Sequence, residues 1–321
     1  MDKIAVKIEK LKKHFGSNKV IDEIDLEIMS GEIFGIIGSS GSGKTTFLNM
    51  IIGYLKPDSG SVLFLSADGS LKNVADNAQD VKKRFGFAVQ QPSFYENLTV
   101  FENLDYFGSL YGLSPDARLN NINALLEMVD LQHARDIISK NLSGGMQRRL
   151  DIACSLMHHP DMLILDEPTS DLDLILSRQI WQLLRKINKK GTSIIVASHD
   201  LPEVETVCSK IGILSDGKLS HVGSFDELKS KVTKGQELQI ETYPGNYDAI
   251  IKQLKDAQIM SMESTGSSLI IQTKRPDKVL GKLLQLLPKI DEALLDVKIT
   301  KLSLRDIFTK IKNEEYNKKK H

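Results

Sequence analysis

Cysteine is scarce in this chain of 321 residues: there are two, Cys154 and Cys208, each set among apolar neighbours. That number excludes a disulfide framework and points to core packing in a reducing compartment. Long apolar runs are missing as well. No stretch approaches the roughly 20 residues that a bilayer-spanning helix needs, so the chain is expected to be soluble or held at a membrane by a partner. Neither sign of charge is in excess, with 42 basic and 42 acidic residues and a formal net charge of zero. A nucleic-acid footprint spread over the whole chain is thereby excluded, and no nucleic-acid partner is expected. A secretory leader is not seen at the start either. Residues 1–13 alternate apolar Ile4, Val6 and Ile8 with charged residues, the pattern of a strand.

What the chain does have is a phosphate loop. The apolar run Ile33–Ile37 leads into Gly38, Ser39, Ser40, Gly41, Ser42, Gly43, Lys44 and Thr45, followed by Thr46, which fits G-x-x-x-x-G-K-[ST]. A triphosphate needs many donors aimed at its oxygens, and glycines allow backbone N–H groups to supply them without side-chain crowding. The pattern predicts a helix from about Lys44 to Tyr54, which sets the phosphates at the positive end of a helix dipole. Lys44 is expected to reach the β and γ phosphates. The Thr45 hydroxyl is expected to ligate magnesium, a hard cation that takes oxygen ligands. ATP and Mg2+ are therefore the expected cofactors.

A second Gly-rich cluster, Leu142, Ser143, Gly144 and Gly145, stands shortly before the apolar run Met162–Leu165, which ends in Asp166 and Glu167. That run and Ser193–Ala197 are apolar throughout, as strands covered on both faces are, and they predict a largely parallel central sheet. Residues 115–129 read as a helix with Ser114 as N-cap, Pro115 at the first helical position, and Leu119, Ile122, Leu125, Leu126 and Val129 along one face.

Taken together, these residues resemble an ATP-binding cassette (ABC) ATPase over about residues 3–222, with the motifs in the family's order. The resemblance implies an α/β fold: a RecA-like core, an antiparallel β subdomain and a helical subdomain. It implies that Phe15 stacks on adenine, in place of an ordinary core role, and that Gln90, beside Gln91 and ahead of Pro92, touches magnesium and the attacking water. Ser143, Gly144 and Gly145 resemble the signature that points a helix N-terminus at the γ-phosphate of a second protomer, so a head-to-tail homodimer or heterodimer is part of the implied mechanism. Met146 stands where many members have Gln, and Gln147, Arg148 and Arg149 follow it, a variant that resembles the exporter subgroup. Asp166 resembles the carboxylate that holds magnesium through water. Glu167 resembles the general base, with Pro168, Thr169 and Asp173 continuing the motif. Asp171 departs from the family's small residue in a loop that faces the opposite protomer. His199, after the strand 193–197, resembles the histidine that contacts the γ-phosphate.

The family's cycle drives a separately encoded integral-membrane permease, which places such a chain at the cytoplasmic face of the membrane and leaves cargo choice to the permease. Phe94, Tyr95, Phe101, Tyr106, Phe107 and Tyr111 crowd one short stretch. Part of that set must be ordinary core, and the rest suits a permease contact. Soluble relatives with other roles would show two cassettes in one chain or a long heptad insertion, and neither is seen. A regulatory ABC protein that does not transport is the alternative. After a boundary placed at 224–235, residues 236–314 read as βαββαβ, a small α+β ferredoxin-like module, ending in Leu302–Phe308, which resembles the closing motif of exporter C-terminal domains. The lysine-rich tail, 315–321, is expected to be disordered.

Overall fold

The computed structural model describes residues 3–232, 235–300, 303–309 and 311. Its contacts divide the chain into two units, Met1–Ser224 and Phe225–His321.

In the first unit, a six-stranded sheet runs in the order Lys218–Gly223, Lys210–Ser215, Ile33–Ile37, Ser193–Ser198, Met162–Asp166 and Phe85–Ala88. All of its neighbouring pairs are parallel except the edge pair that brings in Lys218–Gly223. Ile33–Ile37, Met162–Asp166 and Ser193–Ser198 are buried at every position, which explains why they carry uninterrupted apolar runs in place of an alternation. In such a sheet the loops at the carboxyl ends of adjacent strands converge. Four neighbouring strands here deliver, in order, the phosphate loop, His199, the pair Asp166 and Glu167, and Gln90.

A second, antiparallel sheet orders Asn18–Met29, Ile4–Phe15, Ser59–Leu65 and Leu71–Asn73. Val6 and Ile8 from this sheet, Phe34 and Ile36 from the parallel one, and Phe47 from the helix Lys44–Ile51 join a single buried cluster. Burying each of these side chains contributes roughly 1.5–3 kcal/mol. The helix after the phosphate loop is thus clamped between two sheets, and its N-terminus cannot wander.

The helical part comprises Val100–Leu110, Pro115–Val129 and Gly144–Leu156. Ser114 caps the second of these by accepting from the Ala117 N–H at 3.4 Å, and Pro115 opens it. Ile122, Leu125, Leu126 and Val129 are buried, whereas Leu119, expected on the same face, is 45% exposed. It lies in the second turn, where the neighbouring Arg118, bonded to Asp105 at 2.6 Å, faces the preceding helix instead. The loop helix also ends earlier than expected, at Ile51. Gly53 has φ 75, a left-handed conformation that helps stop it.

The second unit holds Gln236–Tyr243, Tyr247–Gln253, Ile259–Ser264, Leu269–Thr273, Pro276–Leu286 and Ala293–Thr300. The sheet order is Ile259–Ser264, Leu269–Thr273, Gln236–Tyr243, Ala293–Thr300, antiparallel throughout. That is the split βαββαβ arrangement. Leu238, Ile240, Leu269 and Ile271 from the strands pack with Ile250, Val279 and Leu283 from the helices. Residues 225–232, placed in a boundary segment by the sequence, form a helix with Leu228 fully buried. Leu302 and the tail 315–321 lie outside the described residues.

Candidate functional site

The phosphate loop is built by exclusion as much as by contact. A Cβ on Gly38 would meet the Ser42 hydroxyl at 2.4 Å and the Leu214 carbonyl at 2.6 Å, so only glycine fits there. Gly41 and Gly43 have φ of 76 and 100, which L side chains rarely adopt. The helix Lys44–Ile51 begins at Gly43 with no side-chain cap and no acidic residue in its first turn. Its leading N–H groups and positive dipole end are left for an anion.

Lys44, 8% exposed, folds back over the loop. Its Nζ donates to the Gly38 and Ser39 carbonyls at 3.0 and 3.3 Å and lies 3.3 Å from Glu167 Oε1. The next residue, Thr45, donates its hydroxyl to Asp166 Oδ2 at 2.6 Å. The second Asp166 oxygen and the Ser42 hydroxyl are buried without a hydrogen-bond partner. Burial, opposed by the Thr45 bond, raises the Asp166 pKa above its ordinary value, and the Glu167 carboxylate adds to the rise.

Two successive residues of an extended strand point to opposite faces. Glu167 escapes this constraint because its φ is 48, a left-handed turn at the first position past the strand, where its N–H still bonds the Ala197 carbonyl at 2.8 Å. Asp166 therefore reaches Thr45 while Glu167 reaches Lys44. The other Glu167 oxygen takes the His199 backbone N–H at 3.2 Å and its Nδ1 at 2.7 Å. A carboxylate, an imidazole and an ammonium thus meet at one loop, where Glu167 holds a backbone conformation that a non-glycine residue adopts only at a cost.

Other expected site residues lie apart from this group. Phe15 ends its strand half-exposed, with Lys13 Nζ 5.6 Å from its ring centre. The Gln90 side chain is exposed, and its carbonyl is held by Arg148 at 3.1 Å. Ser143 caps the helix Gly144–Leu156 by accepting from Met146 N–H at 3.4 Å, leaving Ser143 and Gly144 on the surface. Gly145 is buried, and a Cβ there would meet Leu176 at 2.9 Å. Asp173 has a visible structural task, since Oδ1 accepts from Ile175 and Leu176 N–H at 2.8 and 2.9 Å and so caps Leu174–Lys189. Asp171 sits at φ 65.

The sequence names Arg148 only as part of the exporter-like variant and gives it no task of its own, yet the residue is 6% exposed and its guanidinium is bonded to three backbone carbonyls. A basic residue one turn into a capped helix offers no periodic signal, and only the fold reveals its partners.

The aromatic stretch divides. Phe94 is buried, while Tyr95 and Tyr106 are 49% and 42% exposed, edge-to-face at 4.8 Å with their hydroxyls 3.1 Å apart. Phe101 receives Arg135 over its ring, and Tyr111 stacks on His158.

A family profile described as "ABC transporter" matches residues 21–170. The bacitracin transport ATP-binding protein BcrA of Bacillus licheniformis is 33% identical over 307 residues, 95% of this chain and 96% of its own length. The Nod factor export ATP-binding protein I of Rhizobium sp. (strain N33) is 30% identical over 318 residues, covering 99% and 100%. Among solved structures, cbiO1 of Clostridium perfringens, described as part of the ABC transporter complex cbiONQ, has a TM-score of 0.64. It is 27% identical, over 72% of this chain and 94% of its own.

Proposed function

Because this chain belongs to the ABC transporter ATP-binding family, we propose that it is an ATPase whose hydrolysis powers a separate membrane permease in export. One observation carries the chemical part: Lys44, Thr45, Asp166, Glu167 and His199 converge at a single phosphate loop.

ATP would lay its phosphates along the N–H groups of residues 38–46, with Lys44 neutralising the β and γ oxygens and Phe15 offering its exposed ring to the base. Magnesium fits the hard oxygen donors here, Thr45, the unpartnered buried oxygen of Asp166 and Gln90, and when bound supplies charge neutralisation on the phosphates. Glu167 accepts the proton of the attacking water as its oxygen bonds to the γ-phosphorus. The bond from that phosphorus to the bridging oxygen breaks, and ADP departs. His199, hydrogen-bonded to Glu167, orients that carboxylate and the γ-phosphate. No covalent enzyme intermediate is required.

Ser143, Gly144 and Gly145 would complete the site of a second protomer, since the capped helix they open leaves its first residues exposed. Asp173 supports this signature by capping the neighbouring helix. The cassette occupies 1–223, and 236–314 forms an accessory unit for dimer support or regulation. The exposed pair Tyr95 and Tyr106 suits the permease contact, which would hold the protein at the cytoplasmic membrane face. Among the described residues, no helix is long and apolar enough to cross a membrane.

Two measurements test the reading. Steady-state ATPase of the full chain should require magnesium and collapse in Glu167→Gln. Mild solubilisation of native membranes should bring down a multi-helix protein in stoichiometric amount. Activity that persists in Glu167→Gln refutes the catalytic assignment, and absence of any membrane partner refutes the transport assignment.

A further inference from the structure

Arg148 lies one turn into the helix Gly144–Leu156 and is buried with Asp151, which is fully inaccessible. Its Nη1 donates to the Val89 carbonyl at 2.8 Å and to Asp151 Oδ2 at 3.3 Å. Its Nη2 donates to the Gln90 carbonyl and to the Glu167 carbonyl, both at 3.1 Å. Asp151 spends its other oxygen on Ser93, taking the backbone N–H at 2.9 Å and the hydroxyl at 2.7 Å. One ion pair therefore ties three segments together: the helix behind Ser143, the loop 89–93, and the bend at Glu167.

The Glu167 end of this arrangement is the telling one. With φ at 48, its backbone must be held, and its carbonyl accepts from Arg148 as well as from the Ser170 N–H and hydroxyl at 3.2 and 3.0 Å. A planar guanidinium presents donors in a fixed fork that can meet carbonyls from two loops at once, and an ammonium on a flexible stem cannot reproduce that geometry. A buried ion pair is weak evidence for stability, because desolvation offsets most of its attraction, and its clearest use is to fix geometry.

We propose that Arg148, braced by Asp151, is a positioning residue for hydrolysis: it fixes the backbone of Glu167 and links it to the Gln90 segment and to the helix that presents Ser143. A shift at the helix is then felt at the general base without passing through the phosphate loop. This rests on the catalytic reading of Glu167 given above. Neither residue needs to touch ATP, so binding and turnover should separate.

The test uses the full chain with Arg148→Lys, Asp151→Asn and Glu167→Gln beside the parent. It measures ATPase against ATP concentration, affinity for a fluorescent ATP analogue, and the thermal unfolding midpoint. Arg148→Lys keeps the charge but is shorter by one bond and loses the fork. Its kcat should fall about tenfold or more, as small misplacements of reacting groups do, while analogue affinity stays within about threefold and the midpoint shows the protein folded at the assay temperature. Asp151→Asn should move kcat in the same direction by less. The proposal is overturned if Arg148→Lys turns over within about twofold of the parent, or if its loss is matched by the unfolded fraction. Loss of activity in Glu167→Gln with full activity in Arg148→Lys sinks the positioning role alone. Activity retained in Glu167→Gln removes the catalytic reading itself.

Discussion

Asp166 and Glu292 are carboxylates buried to nearly the same depth, 3% and 5% exposed, one in each unit of the chain, and their surroundings treat them in opposite ways. Glu292 is satisfied: Oε2 takes the Gly245 N–H at 3.0 Å and Oε1 the Asn246 N–H at 2.6 Å, tying the strand Ala293–Thr300 to the turn that starts the helix Tyr247–Gln253. Burial pushes its pKa up, but the hydrogen bonds to the charged form outweigh it and the net shift is downward. Asp166 keeps one oxygen without a partner, and its pKa is raised. A buried acid whose oxygens are both used is part of the scaffold. One left half-used, beside an ammonium and a second carboxylate, keeps the acceptor capacity that the magnesium of the proposed function would take up.

The largest expected effect lies on the half-used side. Glu167→Gln should lower kcat by about 10²-fold or more while ATP still binds, the range that general-base removal gives. Next comes Lys44→Ala. It deletes charge-assisted bonds to phosphate worth about 1.5–3 kcal/mol, so affinity for a fluorescent ATP analogue should weaken roughly 10- to 100-fold. An unchanged affinity would break the comparison, because the charged cluster at the loop would then be mere packing like its counterpart in the second unit.

Glu292→Gln should do the reverse of these. One backbone N–H loses its acceptor, and denaturant unfolding should show a loss of about 1 kcal/mol with kcat unaltered. The pH dependence sharpens the contrast. A depressed folded pKa contributes stability that is present above the unfolded value, near 4.3 for Glu, and is lost as pH falls through the folded value. A raised pKa at Asp166 acts with the opposite sign: stability is lost as pH rises from the unfolded Asp value through the folded one. Unfolding midpoints followed from pH 3 to 7 should therefore flatten on the acid side in Glu292→Gln. In Asp166→Asn the midpoint near neutrality should rise, although hydrolysis is lost.

The same contrast explains what could be read in the sequence. Residues 38–46, 142–145, 166–167 and 199 carry motifs whose order and spacing imply phosphate chemistry before any coordinates, and the runs 162–165 and 193–197 announce a parallel sheet by their unbroken apolarity. The second unit was legible only as an order of strands and helices, since nothing in Glu292 distinguishes it from a surface acid. The same limit hid Arg148, whose carbonyl partners come from segments 58 and 19 residues away. Leu119 falls outside the buried face for a related reason, since periodicity assigns a stripe to a helix without fixing its width, and the helix 225–232 with its buried Leu228 lies where the sequence marks only a boundary.

The smallest effects concern two acids in left-handed backbone, Asp171 at φ 65 in the first unit and Asp291 at φ 55 beside Glu292 in the second. Asp tolerates this region because its short side chain bonds locally, and alanine at the same φ costs about 1 kcal/mol. Asp171→Ala and Asp291→Ala should accordingly destabilise by similar amounts in chemical denaturation, while the glycine variants stay within about 0.5 kcal/mol of the parent, relief of strain being offset by the freer unfolded chain. Turnover should tell them apart. Asp171 lies four residues past Glu167 and two before the cap at Asp173, so its alanine variant should change kcat or the cooperativity of ATP dependence, whereas Asp291→Ala should change neither. Equal effects on turnover would mean that backbone strain near Glu167 is general to the fold and is not concentrated where the phosphate chemistry takes place.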